Sequence, residues 1–297
     1  MAQSKSKHDP FFSRTLEHSA IAQAFFGQHL PEHLKPYVDF DSFIRVDRTN
    51  TDAKLKRRHR DIIYKAYIKT KDTLFACAEH QSGEDFMMPV RLLRYDADAL
   101  ETYVKEHQKW PLVINLVFYH GEKSPYPYPS EAHGYYEHPI WGSQELSIRF
   151  HVIDIRQLSD EAIITHGLCA PMELLLKHGR EGNFELPTAA YQEVFQDCIA
   201  EVGDDYIIAM LTYATGLSNK EVGKKIFNFI EKVLTDKKDV IMTYAQQLRQ
   251  EGMQQGIQQG MQQEKLEIAK EMLRKGYSSD AVKELTGLSR KELNNLK

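Results

Sequence analysis

The residues with chemistry to offer are two acids, Asp61 and Glu79, the second followed directly by His80 and Gln81. The chain between them reads as a β-hairpin. Ile62, Tyr64, Ala66 and Ile68 share one parity, and Asp61, Ile63, Lys65, Tyr67 and Lys69 share the other. Period two with β-branched and aromatic residues is a strand pattern. Thr70-Lys71-Asp72-Thr73 is a polar break, and Leu74-Phe75-Ala76-Cys77-Ala78 then runs apolar, as a strand covered on both faces does. Folding back from a turn near residue 71 brings Asp61 and Glu79 to about the same height.

Two carboxylates at one height repel each other. A hard divalent cation, Mg²⁺ or else Mn²⁺ or Ca²⁺, relieves the repulsion through oxygen ligands. The backbone carbonyl of His80 offers a further oxygen. Gln81 shares Glu79's parity, and its amide could orient a water or a phosphate oxygen. Phosphodiester hydrolysis needs such a layout. Solvated strand ends are the competing reading of the same spacing.

Several elements must position these groups. The densest basic run, Lys54 to Arg60, abuts Asp61. Arg58 and Arg60 would draw phosphates toward the acids, or else form a solvated strand entrance. Before it, Asp9 and Pro10 start a helix that carries Phe11, Phe12, Leu16, Ile21, Phe25 and Phe26 at helical spacing and ends at Leu30-Pro31. Glu17 lies on that helix. Phe40 to Val46 is a strand candidate. A helix is expected over Glu84 to His107, with Met87, Val90, Leu93, Leu100 and Val104 as its apolar stripe. Arg91, Arg94 and Tyr95 lie one turn apart on or beside it, placed to grip a phosphate or to form ordinary helix surface. Pro111 to Tyr119 is the most hydrophobic strand, expected to be central, buried on both faces and parallel to the Glu79 strand. His120 follows at its C-terminal end, where ligands gather in open α/β sheets; it suits substrate contact, proton transfer or a structural hydrogen bond. Trp141 is expected to be buried, and Ile148 to Ile155 to be a further strand.

Across these segments the chain resembles the Rpn family (recombination-promoting nuclease, YhgA-like transposase), a branch of the PD-(D/E)XK nuclease superfamily. The matching pieces, in order, are His8-Asp9-Pro10-Phe11-Phe12, His29-Leu30-Pro31, Asp61, Glu79-His80-Gln81-Ser82, Arg91-Leu92-Leu93-Arg94-Tyr95, Pro111-Leu112-Val113, Phe118-Tyr119-His120-Gly121, Ser124-Pro125-Tyr126-Pro127 and Leu248-Arg249-Gln250-Glu251-Gly252. The resemblance implies a mixed α/β sheet flanked by helices. It also implies a metal held by Asp61 and Glu79, activity as a metal-dependent DNA endonuclease tied to recombination or mobile elements, and double-stranded DNA as partner. Glu17 matches an acid that often assists the metal in the superfamily, with a solvated surface Glu as the competing reading. Gln81 stands where the superfamily's E-x-K pattern has lysine. A neutral amide brings no positive charge, so weak or absent cleavage, with DNA binding or assembly as the role, is the alternative.

The totals agree with a soluble α/β protein. The chain has 297 residues, 42% hydrophobic and 27% charged, with a net charge of −4, so any DNA contact must be local. Cys77, Cys169 and Cys198 form no CxxC pair, so neither a zinc site nor a disulfide framework follows from spacing. No apolar run reaches the roughly 20 residues of a membrane span, and Met1 to Lys7 read as a disordered tail without a secretory signal. A cytoplasmic location is expected.

Three regions are expected: a nuclease core over 1–157, a helical buttress over 158–236 and a C-terminal stretch over 237–297. The buttress carries helices at Ala162 to His178, Ala189 to Glu201, Asp204 to Thr215 and Lys220 to Leu234. Residues 237–275 read as a long helix in which Gly252, Gly256 and Gly260 recur every four residues, a flexible linker or a face for self-association into a homo-oligomer. Ser278 and Ser289 cap two short helices in a helix-turn-helix-like tail whose Lys283, Arg290, Lys291 and Lys297 could touch DNA.

Overall fold

The apolar run 74–78 is buried on both faces, and the sheet is built outward from it. The computed structural model describes residues 8–46, 62–69, 72–137, 149–181, 189–294 and 296. Asp61, Arg58, Arg60, Trp141 and Lys297 lie outside these. The strands are β1 (Val38–Arg45), β2 (Ile62–Ile68), β3 (Thr73–Gln81), β4 (Leu112–Tyr119) and β5 (His151–Asp154). They form a mixed five-stranded sheet in sequence order. β1–β2 and β2–β3 are antiparallel; β3–β4 and β4–β5 are parallel. The hairpin register runs from Ile62↔Ala78 to Tyr67↔Thr73, so Glu79 is one residue beyond the last described pair. On its other side Glu79 pairs with Val117 and Gln81 with Tyr119. β4 is buried from Asn115 onward, but Leu112 at its entrance is 39% exposed, so only its second half is covered on both faces.

Helices cover both faces. α1 (His8–Thr15) and α2 (Ser19–His29) lie on one. The single helix expected here is broken at residues 16–18, which leaves Glu17 in the turn. The break has a tertiary cause: the Tyr64 hydroxyl of β2 donates to the Leu16 carbonyl at 2.7 Å. It lets Phe12 pack on Phe118 and His80 while Phe25 and Phe26 turn to the same core. Asp9 falls inside the first turn rather than ahead of it.

α3 (Met88–His107) covers the opposite face. It starts four residues later than expected, because Pro89 lacks an N–H and is tolerated only in a first turn. Its buried stripe is Met88 and Leu92, extended by Tyr95, packed on Val117 and Phe150. The first half of the expected stripe fails, since Met87, Val90 and Leu93 are exposed, while its second half, Leu100 and Val104, is half-buried. The sheet-facing side of α3 also carries polar residues, which pair with polar residues of the sheet and hide the apolar period: Asn115 Nδ2 donates to Asp96 at 2.8 Å, and Arg91 meets Glu79.

The helices that follow are α4 (Asp160–Ile164), α5 (Ala170–Glu181), α6 (Ala189–Val202), α7 (Asp205–Gly216) and α8 (Lys220–Val233). The expected helix from Ala162 to His178 is split by Gly167, whose φ of 63° lies in the left-handed region. α6 to α8 fall within a residue or two of the expected spans. The strand expected over Ile148 to Ile155 shortens to β5.

The chain divides into two compact units, Met1–Lys238 and Asp239–Lys297. The second contains most of α9 (Lys238–Arg274), then α10 (Ser279–Thr286) and α11 (Arg290–Asn294). Its core joins Ala269, Val282, Leu288 and Leu293. Leu285 is 70% exposed, whereas Leu288 is buried in that core. Ser278 caps α10 by accepting from the Ala281 N–H, and Gly287 ends it at a φ of 70°. Ser289 and Glu292 form a reciprocal capping box at α11.

Candidate active site at the ends of the parallel strands

Alternation along β3 sends its side chains to different layers. Phe75, Cys77, Glu79 and Gln81 share the face of α3, where Phe75 meets Tyr103 edge-on at 5.6 Å. His80 points the other way, onto Phe12. Glu79 is 2% exposed, a carboxylate that must be compensated where it sits. The compensation comes from α3. Arg91 Nη2 donates to Glu79 Oε1, and Arg91 Nη1 donates to Asp85 Oδ2 at 2.5 Å. Burial opposes the guanidinium charge, but Glu79 and Asp85 outweigh it and raise the Arg91 pKa. The same Nη1 lies 3.5 Å from Gln81 Oε1, while Gln81 Nε2 donates to the Gly83 carbonyl at 2.8 Å. Three of the expected residues, Glu79, Gln81 and Arg91, therefore converge on one end of β3. Tyr95 lies one turn along α3 and hydrogen-bonds Arg91, and Arg94 is exposed.

Of the remaining expected residues, the two that are described lie elsewhere. His120 is fully buried with its ring 4.6 Å from that of His80, so both histidines occupy the α1–α2 face, away from Glu79. Glu17 pairs with Arg45 of β1 at 2.9 Å. Asp61, Arg58 and Arg60 lie outside the described residues.

Sequence reasoning missed the groups that hold this end of the sheet in place. Asp85 shares Arg91 with Glu79; its only signal was an acid ahead of a helix-starting proline. Arg180 of α5 donates to the Ser82 carbonyl, and Arg156 donates to the Gly121 and Glu122 carbonyls at 2.9 and 2.7 Å. Ser124 donates to Asp154 at 2.8 Å. Partners 30 to 98 residues apart leave no trace in local spacing. The structure gives a local reason for Gly121: a Cβ there would overlap the Tyr119 hydroxyl, which donates to the Lys123 carbonyl.

The atoms at this end that could ligate a cation are carboxylate and amide oxygens, the kind a hard cation takes, while the positive charge that Glu79's burial requires is supplied by Arg91.

Comparison with known proteins adds to this geometry. A family model described as "Putative transposase, YhgA-like" matches residues 6–201, and one described as "Rpn/YhgA-like nuclease family, C-terminal HTH domain" matches residues 262–297. Recombination-promoting nuclease RpnD of Escherichia coli O157:H7 is 29% identical over 82% of this chain and 94% of its own. RpnA of E. coli K12, also named a recombination-promoting nuclease, is 27% identical over 98% of this chain and 97% of its own. RpnE of the same strain, named an inactive recombination-promoting nuclease-like protein, is 30% identical over 98% and 97%. No solved structure matches the chain. Matched over most of its first unit by one model and through its last helices by another, the chain belongs to the Rpn/YhgA-like transposase family.

Proposed function

We propose that this chain is a divalent-metal-dependent DNA endonuclease of the PD-(D/E)XK type, acting in recombination or on mobile DNA. One observation carries the reading: a carboxylate 2% exposed, Glu79, at the C-terminal end of a strand that pairs in parallel with β4, with an amide and a guanidinium fork on the same face. Such strand ends are where open α/β sheets bind ligands. Asp61, Glu79 and the His80 carbonyl would hold Mg²⁺, which supplies Lewis acidity and an acidified water when bound. Gln81, tied to Gly83, would orient a phosphate oxygen or a water rather than neutralise charge. Arg91 holds Glu79 in place and, by pivoting from one of its two carboxylates, would offer a bidentate fork to a phosphate.

A second reading is favoured by two observations. Arg91 already satisfies Glu79, and a relative similar over nearly the full chain is named inactive. On that reading the protein binds DNA without cutting it.

Nicking of supercoiled plasmid with Mg²⁺, Mn²⁺, Ca²⁺ or chelator separates the two. The nuclease reading expects cation-dependent nicking that falls by about a hundredfold or more in Asp61→Ala and in Glu79→Gln. Nicking by either variant at the parent's rate would sink the assignment. Salt-sensitive binding with no nicking under any cation would establish the second reading.

A further inference from the structure

A second cluster, outside the strand-end site, gathers four side chains that the nuclease reading leaves unused. His29 is the last residue of α2; His166 follows α4; Cys169 lies in the single turn Gly167–Cys169; Glu173 is in the first turn of α5. One donor atom from each, an imidazole nitrogen from both histidines, the Cys169 sulfur and a Glu173 oxygen, lies within 4.8 Å of the other three. Glu173 and Cys169 are fully buried, and the His29 and His166 side chains are 8% and 5% exposed. We propose that His29, His166, Cys169 and Glu173 form a closed structural zinc site.

The donor set argues for the metal. Two imidazoles, one thiolate and one carboxylate are a borderline-soft set that suits Zn²⁺ and not Mg²⁺, so this is not a second copy of the oxygen-only site at Glu79. With neutral histidines the charges of Zn²⁺, the thiolate and the carboxylate sum to zero, which is what a buried site requires. Four protein ligands leave no open position, the mark of a structural rather than a catalytic site.

The geometry is close to a coordination shell. His29 Nε2 and His166 Nδ1 each lie 2.6 Å from a different oxygen of Glu173. Ligands at about 2.0–2.3 Å from one ion stand roughly 3.3–3.8 Å apart, so rotation of the carboxylate and shifts of about 1 Å complete the shell. The Cys169 thiol donates to the His166 carbonyl at 3.2 Å and also faces Glu173. The two imidazole–carboxylate pairs are complete without it. In a metal-free His–Glu–His triad the sulfur would serve only as a buried donor to the His166 carbonyl.

Binding forms the sulfur–zinc bond as the thiol proton leaves to solvent, and it needs both ligating nitrogens bare. Metal uptake is therefore proton-releasing and weakens in acid. The left-handed φ of Gly167 reverses the chain between His166 and Cys169, so that both meet His29 from the other helix. The ion would staple α2, which covers the sheet, to α4 and α5 of the helical half.

The test uses the full chain. Metal analysis of the purified protein should give about one zinc per chain. Replacement by Co²⁺ should give tetrahedral visible bands and a thiolate-to-cobalt charge-transfer band. Cys169→Ser should remove that band and weaken zinc binding tenfold or more, while Cys77→Ser and Cys198→Ala keep both. Asp61→Ala and Glu79→Gln should keep the zinc, which separates this site from the nuclease reading. Should Cys169→Ser not fold, the band in the parent and in the other two cysteine variants decides. A folded parent that takes up neither zinc nor cobalt, or a charge-transfer band that survives Cys169→Ser, would overturn the proposal.

Discussion

At the scale of single residues the pairing of Glu79 with Arg91 is the central fact. The Glu79 side chain is 3% exposed and that of Arg91 34%, so one charge is buried and the other lies at the edge. Breaking such a pair from one side leaves a buried charge; replacing both sides with apolar groups does not. Arg91→Met should therefore cost about 2 kcal/mol, discounted from a fully buried pair for the exposure of Arg91. Arg91→Met with Glu79→Leu should recover most of that loss. Urea denaturation midpoints at unchanged slope check both. Asp160 sets a pH dependence of its own. Burial raises its pKa, but hydrogen bonds from His178, Lys177 and Tyr191 outweigh burial and hold it below the usual carboxylate range. A carboxylate with a depressed folded-state pKa stabilises the fold above its unfolded value, about 3.9, and loses that contribution as pH falls through the folded one. Asp160→Asn should cost about 2 kcal/mol at pH 7 and progressively less below about pH 4, measured by denaturation across pH.

At the scale of elements, one substitution should act with opposite signs at two glycines. Gly223 in α8 packs against α7 so closely that a Cβ would overlap the Ala214 carbonyl oxygen. Gly223→Ala should destabilise the first unit by about 1–3 kcal/mol through overpacking. Gly256 in α9 has nothing within 4 Å of the same position. There alanine only improves helix propensity, and Gly256→Ala should stabilise α9 by up to about 1 kcal/mol. Thermal unfolding followed by circular dichroism reads both. A Gly256→Ala chain less stable than its parent would mean that the glycine face of α9 is packed against a partner, and light scattering would then show the association.

On the scale of the whole molecule, the division after Lys238 is testable, because each unit has its own buried core. A chain ending at Lys238 should still unfold cooperatively. If the C-terminal helices touch DNA, it should bind DNA about tenfold more weakly at moderate salt, with a salt slope shallower by about one for each phosphate no longer neutralised. Lys283 and Lys291 are exposed on α10 and α11, whereas Arg290 is engaged by Asp280 at 2.9 Å. An unchanged salt slope in electrophoretic shift or anisotropy titrations would place DNA binding in the first unit alone. Among the described residues, no helix is long and apolar enough to cross a membrane.

Local pattern alone determined the hairpin and its polarity, the apolar β4, the capped helices of the second unit and the glycine period of α9. Each is written in neighbouring residues, through alternation, capping or helical repeat. It also put Glu79, Gln81 and Arg91 within reach of one another, because a strand, a short loop and a helix leave little choice of placement. The tertiary structure decided what no local period encodes. It broke the first helix at Leu16 because a tyrosine from β2 takes that carbonyl. It set the first turns of α3 on Met88 and Leu92 rather than on Met87, Val90 and Leu93, beside polar partners on the sheet. It turned His120 from the strand ends into the core beside His80. It also brought His29 to Glu173 across 144 residues, where three scattered cysteines and no CxxC pair gave no reason to look. Side-chain contacts between distant segments depend on how whole layers pack, and packing is settled only when the chain closes on itself.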